Sequence, residues 1–221
     1  MNTIAFQVVV YLSFLFLIWY FIGSYLNQRQ SHQIVRWIQG GLEIVGEGIS
    51  VRWLSISGFQ ILVEKPLPPF KGMALMVVLE PRSMLLAWLF HRLMGRKGLL
   101  SIRGNLLREP DLEFEVFDPQ NRIGKEALQT VIQENWISQE WENTSFLLAF
   151  PQGHHQEWLQ RLSSIFQPWF SHLLRISIRK NFPHLLASFS LSELKKKKAE
   201  DFFSFLKELG RLAQESGKEK K

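Results

Sequence analysis

A run of 23 uncharged, mostly apolar residues extends from position 4 to position 26. As an α-helix it would be roughly 35 Å long, enough to cross a hydrocarbon core of about 30 Å. Three aromatic side chains with polar edges, Trp19, Tyr20 and Tyr25, lie near its C-terminal end. Such rings favour the headgroup layer of a bilayer. The run therefore predicts a transmembrane anchor over residues 1–27, with these three rings as its interfacial anchor.

Two other kinds of segment can contain a long apolar run. A cleaved secretory signal has a basic n-region, a shorter apolar core and a small-residue cleavage site. Here Met1, Asn2 and Thr3 bring no basic side chain, and no A-x-A-like site follows. A helix in a protein core is rarely apolar on every face over such a length. We therefore favour the membrane anchor over both alternatives.

The charges that follow the run predict its direction across the membrane. Arg29 and Arg36 come next, and the first acidic residue after the run is Glu43. Basic residues beside a membrane helix favour the cytoplasmic side. We expect a single-pass membrane protein with its N-terminus outside and its C-terminal domain in the cytoplasm. The lack of cysteine in the chain agrees with a reducing compartment.

Alternating apolar and polar residues in the rest of the chain predict β-hairpins. The paired segments are residues 49–55 with 59–64, residues 99–105 with 112–117, and residues 174–179 with 185–191. In the second pair we expect Glu113 and Glu115 to face solvent and the apolar residues between them to face the core. Residues 73–79 are apolar throughout, which is typical of a central strand covered on both faces.

Helical patterns lie between these strands. The first is a juxtamembrane helix ended by Gly40 and Gly41, and the second covers residues 83–94, capped by Ser83 and stopped by Gly95. A third begins at Asp118, and a fourth has an apolar face over residues 158–173 that Pro168 should kink or end near Gln167. The last helix has Ser190 with Glu193 as its capping box. Strands in adjacent pairs, with helices between the pairs, predict an α+β domain with a mainly antiparallel sheet and flanking helices. We assign residues 28–48 to a juxtamembrane helix and linker, 49–214 to the domain and 215–221 to a charged tail.

The net charge of +6, from 26 basic and 20 acidic side chains, bears on the partners of the domain. Four consecutive lysines at 195–198 fall in the first turns of the predicted last helix, where cations oppose the helix dipole. Anionic lipid attracts such residues by about 1 kcal/mol each. We find no groove-reading or stacking motif for nucleic acid. The expected partners are the lipid bilayer, its anionic lipids and other membrane-protein subunits.

Residues 83–97 combine seven consecutive apolar residues with a basic end. Such a helix can lie in the membrane interface, although it is too short to span a bilayer. The alternative, which we favour, is a helix packed in the domain core with cations at its C-terminal end. Together the two basic segments supply the candidate membrane-surface contacts, namely Trp88, Arg92, Arg96, Lys97, Lys195, Lys196, Lys197 and Lys198.

The sequence carries no catalytic signature. It has no cysteine, no G-x-S-x-G elbow and few aspartates for two-metal phosphoryl transfer. His154, His155 and Glu157 match no metal-binding spacing. We therefore predict no metal, cofactor or catalytic residue, and expect a membrane-anchored protein that works by binding, as an assembly or adaptor module at the membrane surface. The alternative is a membrane-tethered enzyme that acts on a lipid or a membrane-bound substrate.

Overall fold

The structure is a computed structural model that describes residues 3–141, 144–151 and 156–215, and of residues 156–160 only the backbone. Helix α1 (Thr3–Leu42) is a single helix of 40 residues, about 60 Å long. It contains the apolar run and continues past it without a break. One 18-residue window of α1 is long and apolar enough to cross a membrane, by length and composition only, and none of that window is buried.

The domain that follows is built on one sheet. Its strands are β1 (Gly46–Ser55), β2 (Gly58–Pro66), β3 (Phe70–Val78), β4 (Leu99–Leu106), β5 (Phe114–Phe117), β6 (Ile137–Glu140), β7 (Leu147–Phe150), β8 (Leu173–Ile178) and β9 (Leu185–Ser190). Their order is β1-β2-β3-β4-β9-β8-β5-β7-β6, and each neighbouring pair is antiparallel. The predicted α+β class with an antiparallel sheet is confirmed.

Five further helices flank the sheet. They are α2 (Leu85–Leu93), α3 (Arg122–Gln133), α4 (Gln156–Phe166), α5 (Leu191–Leu194) and α6 (Ala199–Gln214). The second half of α1, together with α4 and α6, shares the main core with the inner face of the sheet. Helix α3 covers the outer face at β5 and β7, where a second, smaller core forms. The outer face of β1 to β3 has no such cover among the described residues, and Leu62 and Met76 are exposed there.

A single buried stripe joins α1 to the domain. Its members recur at helical spacing and include Asn27, Ser31, Ile34, Ile38 and Leu42. Ile34 and Ile38 are fully buried in the main core. Because the same helix carries the apolar run, the domain is attached to that run rigidly and not through a flexible linker.

The predicted helix end at Gly40 and Gly41 is wrong, since α1 runs through both to Leu42. A Cβ atom at Gly41 would lie 2.5 Å from the carbonyl carbon and oxygen of Ala199, at the start of α6. At Gly40, no described atom lies within 4 Å of that position. Gly41 is therefore a point of close approach between two helices and not a helix terminator.

The structure confirms two of the three predicted hairpins. β1 with β2 and β8 with β9 are antiparallel neighbours. The hairpin of residues 99–105 with 112–117 is wrong, because β4 lies between β3 and β9 whereas β5 lies between β8 and β7. The prediction that β3 is covered on both faces is also wrong. Leu75 and Val77 are buried, but Met76 and Val78 are exposed on the outer face.

Several predicted helix starts differ from the structure. Helix α2 begins at Leu85 and has no side-chain cap, so Ser83 is not its cap, although Gly95 does follow its end with a φ of 65°. Helix α3 is capped by Asn121, whose Oδ1 accepts the N–H of Gly124 at 2.7 Å, and not by Asp118. The helix predicted to end before Pro168 is confirmed, since α4 ends at Phe166.

The predicted last helix is divided into α5 and α6. Ser190 precedes α5 but makes no capping hydrogen bond with its side chain, so the capping box is wrong. Residues 195–198 lie between the two helices, and α6 begins only at Ala199. The four lysines therefore precede a helix and do not form its first turns.

Candidate membrane-facing site

One end of the sheet meets α1 where the apolar run stops. Val78 at the end of β3 pairs with Gly58 of β2 and with Leu99 of β4, so the β1–β2 turn lies at this end too. Just beyond β3, the carbonyl of Glu80 accepts a hydrogen bond from Asn27 Nδ2 at 3.0 Å. Asn27 directly follows the apolar run. We call this the proximal end of the sheet, comprising residues 53–58, 78–99 and 190–195.

The connection from β3 to α2 is fastened to the apolar run itself. The indole Nε1 of Trp19 donates a hydrogen bond to the carbonyl of Arg82 at 2.8 Å. Gly23 lies so close to the Arg82 backbone that a Cβ atom there would overlap it. The rings of Trp19 and Trp88 are 5.4 Å apart. Helix α2 therefore begins beside residues 19–23 of α1, inside the apolar run and not beyond it.

Helix α2 presents its apolar side chains outward. All its residues are described and none is buried. Leu86 is 70% exposed and Leu93 is 78% exposed. With the flanking methionines, the exposed set is Met84, Leu86, Leu89, Phe90, Leu93 and Met94. The prediction that this helix packs in the domain core is wrong, because α1, α4 and α6 already cover the inner face of the sheet and α2 packs beside α1.

The β1–β2 turn places more apolar side chains on another part of α1. Trp53, Leu54 and Ile56 are exposed, and the Trp53 ring lies 6.1 Å from the ring of His32 on α1. A cleft of about 450 Å³ separates this turn from α1. Its lining residues are Ser24, Gln28, Ser31, His32, Trp53, Ser55 and Ile56. The proximal end thus exposes apolar groups both at α2 and at this turn.

Basic side chains surround the same end. Arg29, Arg82 and Lys195 line a hollow of about 400 Å³ beside Leu26, the last residue of the apolar run. Burial lowers the pKa of Lys195, and the positive charge of Arg82 lowers that pKa further. Burial is the larger of the two causes, and Arg82 is itself paired with Glu80, which lines the same hollow.

The structure separates the four predicted contact lysines. Lys195 lies in the hollow beside Leu26. Lys196 forms an ion pair with Glu193 at 2.6 Å. The carbonyl of Lys197 accepts a hydrogen bond from Trp37 Nε1 at 2.9 Å. Trp37 lies about 16 Å along α1 from the end of the apolar run, and neither Lys197 nor Lys198 lines the hollow.

The other predicted contacts lie on or after α2. The Arg92 guanidinium lies 5.4 Å from the ring centroid of Trp88. Arg96 and Lys97 are exposed and make no ion pair with any residue that the structure describes. Trp88 is half-buried against Trp19. The basic end of the helix therefore remains open to solvent.

The predicted interfacial rings have two different surroundings. Tyr20 and Tyr25 are exposed along α1, as rings that meet lipid headgroups would be. Trp19 instead uses its N–H on the Arg82 carbonyl. Trp19 therefore holds α2 in place, and it also lies near the end of the apolar run.

Sequence reasoning missed a buried ionic cluster under α3. Glu115 is fully buried, contrary to its predicted exposure, and its two oxygens lie 2.5 Å from Arg175 Nη2 and 2.6 Å from Arg179 Nη2. Arg179 also pairs with Glu134 and lies 4.6 Å from the ring centroid of Trp136. Burial alone would lower the pKa of Arg179, but its hydrogen bonds to the two carboxylates raise that pKa overall. The cluster joins α3 to β5 and β8.

His154 and His155 lie outside the described residues, as does the side chain of Glu157. Within the described parts of the chain, no three His, Asp or Glu side chains gather closely enough to hold a metal ion. No protein-family model matches the sequence, and no curated protein matches it. Function is therefore inferred from the proximal end of the sheet.

Proposed function

We propose that this chain is a single-pass membrane protein, anchored by residues 4–26, whose α+β domain binds at the membrane surface as an assembly or adaptor module. Support comes from the apolar window of α1, none of which is buried, whereas the core helix of a soluble protein would be mostly buried. The observation that carries the proposal is the exposed apolar side of α2, held beside that window.

The position of α2 beside the anchor would bring part of the domain to the bilayer. Because α2 begins beside Trp19 and Gly23, a bilayer that surrounds the apolar run also reaches α2. Leu86, Leu89 and Leu93 would then lie at the boundary of acyl chains and headgroups. Moving one such side chain fully out of water contributes about 1.5–3 kcal/mol. Basic groups at the end of α2 would remain among the headgroups, as interfacial helices require.

The rigid attachment of the domain determines how it can work. Since α1 continues into the core through Ile34 and Ile38, the proximal end has one orientation relative to the anchor. A domain held in this way meets lipids and neighbouring membrane subunits at a high effective concentration, so weak contacts suffice for binding. This geometry supports a binding role, which requires no catalytic group.

The orientation with the N-terminus outside belongs to the same proposal. Arg29, Arg36, Arg82 and Lys195 all lie on the domain side of the apolar run or at its end. Basic residues there favour the cytoplasmic leaflet, which carries anionic lipid. The domain would therefore face the cytoplasm.

A cysteine-free chain allows a direct test of anchor and orientation. Full-length Asn2→Cys and Ser204→Cys variants are expressed in cells and treated with a membrane-impermeant maleimide. We expect labelling of the Asn2→Cys variant in intact cells, labelling of the Ser204→Cys variant only after permeabilisation, and retention of both in membranes washed with alkaline carbonate. Release by carbonate, or a mature protein that begins after Leu26, would refute the anchor, and the reverse labelling would refute the orientation.

The enzymatic alternative stays a prediction. The cleft beside the β1–β2 turn contains one titratable side chain among its described lining residues, His32. A single histidine offers little acid–base chemistry without a second polar group of matched pKa. We therefore favour binding over catalysis at this cleft.

A further inference from the structure

A groove of about 910 Å³ opens at the proximal end, between the end of α2 and the start of α3. Its floor is apolar and is formed by Val78, Leu79, Leu99, Ile123 and Leu174. Glu80 belongs to its wall and is also the residue whose carbonyl accepts the hydrogen bond from Asn27. The groove therefore lies at the level where the apolar run of α1 ends, next to the exposed side chains of α2.

The charges in the groove do not cancel. Its acidic residues are already paired, Glu126 with Arg122 at 3.1 Å and Glu80 with Arg82 at 3.8 Å. Arg96 and Lys97 also line the groove, and neither has an ion-pair partner among the described residues. The positive charge of Lys97 helps to lower the pKa of Glu193, so one acidic group lies near it. Arg96 and Lys97, which make no ion pair among the described residues, lie beside apolar lining residues and make the groove complementary to a molecule with an anionic head and an apolar tail.

A buried amide group lies beside the same space. Asn121 lines the groove and caps α3 through its Oδ1 atom, which accepts the N–H of Gly124. Its amide Nδ2 is buried and has no partner in the part of the chain that the structure describes. Asn121 therefore lies beside the groove, where a charge introduced at its side chain would act on an anion that the groove holds.

We propose that the groove binds the headgroup of an anionic phospholipid drawn from the bilayer, with Arg96 and Lys97 at its phosphate. The acyl chains would follow the exposed side of α2 into the membrane, past Leu93. This assignment rests on the proposed function, because α2 must lie in the bilayer for a lipid to reach the groove from it. The domain would then prefer membranes rich in anionic lipid.

The first test changes one side chain of the groove. Full-length protein is equilibrated in micelles with equal amounts of phosphatidylglycerol and phosphatidylcholine, and retained lipids are counted by native mass spectrometry. Asn121→Asp keeps the helix cap, because Asp and Asn cap equally well, but it adds a negative charge. We expect it to lower retained phosphatidylglycerol about fivefold, the effect of one charge near a membrane surface. Gln129→Glu adds the same charge on the exposed side of α3 and should leave retention unchanged.

The second test removes the cations. The Arg96→Gln, Lys97→Gln double variant should lose about tenfold or more in selectivity for phosphatidylglycerol. Its control, the Arg103→Gln, Lys125→Gln double variant, removes two exposed cations that do not line the groove. Free glycerol 3-phosphate should fail to displace the bound lipid, since it lacks the tail that the apolar floor would hold. Displacement would instead indicate a site for soluble phosphate compounds and overturn the lipid assignment.

A measurement on α2 distinguishes failure of the groove assignment from failure of the proposed membrane-surface role. A spin label at Leu93→Cys is examined in the same lipid mixtures. If the label contacts lipid while the groove variants retain phosphatidylglycerol like their controls, the groove assignment is refuted and the membrane-surface role stands. If the label is exposed to water, both are refuted. Loss of selectivity in the groove variants alone, with the label still in lipid, would support the assignment.

Discussion

Helices α2 and α3 are both short, yet they bury very different surfaces. Helix α3 buries Ala127 and Val131 against the outer face of β5 and β7. Helix α2 is the more apolar of the two in sequence, but none of its side chains is buried. The apolar side of α3 is therefore covered within the chain, whereas none of the described residues covers that of α2.

The surroundings of the two helices suggest what covers the apolar side of α2. Helix α3 lies over the sheet and is joined to it by the Glu115 cluster. Helix α2 lies beside the exposed apolar run of α1. Contiguous exposed apolar surface marks a contact with membrane or protein. Continuity with a segment long enough to span a bilayer makes lipid the simplest contact for α2.

The largest expected effect tests the buried side of α3. Val131→Asp would place an unpaired carboxylate in the second core and should lower the free energy of unfolding by about 3–5 kcal/mol. Ile132→Asp, at a position 64% exposed on the same helix, should change it by less than about 0.5 kcal/mol. Chemical denaturation followed by circular dichroism measures both. Equal losses would contradict the burial of α3.

The ionic cluster under α3 gives the second largest effect. Glu115→Gln leaves Arg175 and Arg179 beside a neutral amide, and we expect a loss of about 3 kcal/mol in the free energy of unfolding. Glu134→Gln removes the more exposed partner of Arg179 and should cost about 1 kcal/mol or less. The same denaturation experiment compares the two variants. A larger loss for Glu134→Gln would reverse the roles assigned to these carboxylates.

A smaller effect tests how α2 is held to α1. Gly23→Ala introduces a methyl group against the Arg82 backbone, and we expect a loss of about 1–3 kcal/mol as the connection to α2 is displaced. Gly40→Ala adds the same methyl group to α1, where no described atom is near, and should be neutral or stabilising by up to about 1 kcal/mol. Thermal unfolding in detergent distinguishes the variants. Equal changes in the melting temperatures of the two variants would argue against the close contact at Gly23.

The smallest expected effect is the loss of stability in mild acid caused by His172, at the end of the sheet that both helices border. Burial lowers the pKa of His172, the charge of Lys197 lowers it further, and Glu193 opposes the change. A depressed native pKa means that the unfolded chain binds more protons, so stability is fully present above about pH 6.5 and falls as pH decreases toward the native pKa. His172→Asn should remove this part of the pH dependence of the melting temperature. An unchanged profile in that variant would assign the effect to other groups.

Local patterns predicted much of the fold because their partners are close in sequence. The β1–β2 and β8–β9 hairpins follow from alternation on both sides of a short connection. The partner of β4 could not be found in this way, since β9 lies far along the chain. Glu115 alternates like a solvent-facing residue, and only the position of α3 over β5 makes it buried.

The candidate site was predicted in part. Sequence composition identified residues 83–97 as a helix suited to a membrane interface, with Arg92, Arg96 and Lys97 at its end. It could not show whether another part of the chain covers the apolar side, and the core alternative that we favoured is wrong. The groove beside α3 was not predicted, because Asn121 and Lys97 come together only through the order of the strands.

The depth of α2 in a bilayer is the most direct test of the central claim. Spin labels at Leu86→Cys, Leu93→Cys and, as a control on α3, Gln129→Cys are compared in full-length protein reconstituted in nanodiscs. Collision rates with oxygen and with a water-soluble nickel complex report lipid and water contact. We expect the two α2 labels to collide more often with oxygen, and the α3 label to collide more often with the nickel complex. Labels on both helices that favour nickel equally would contradict a membrane-embedded α2.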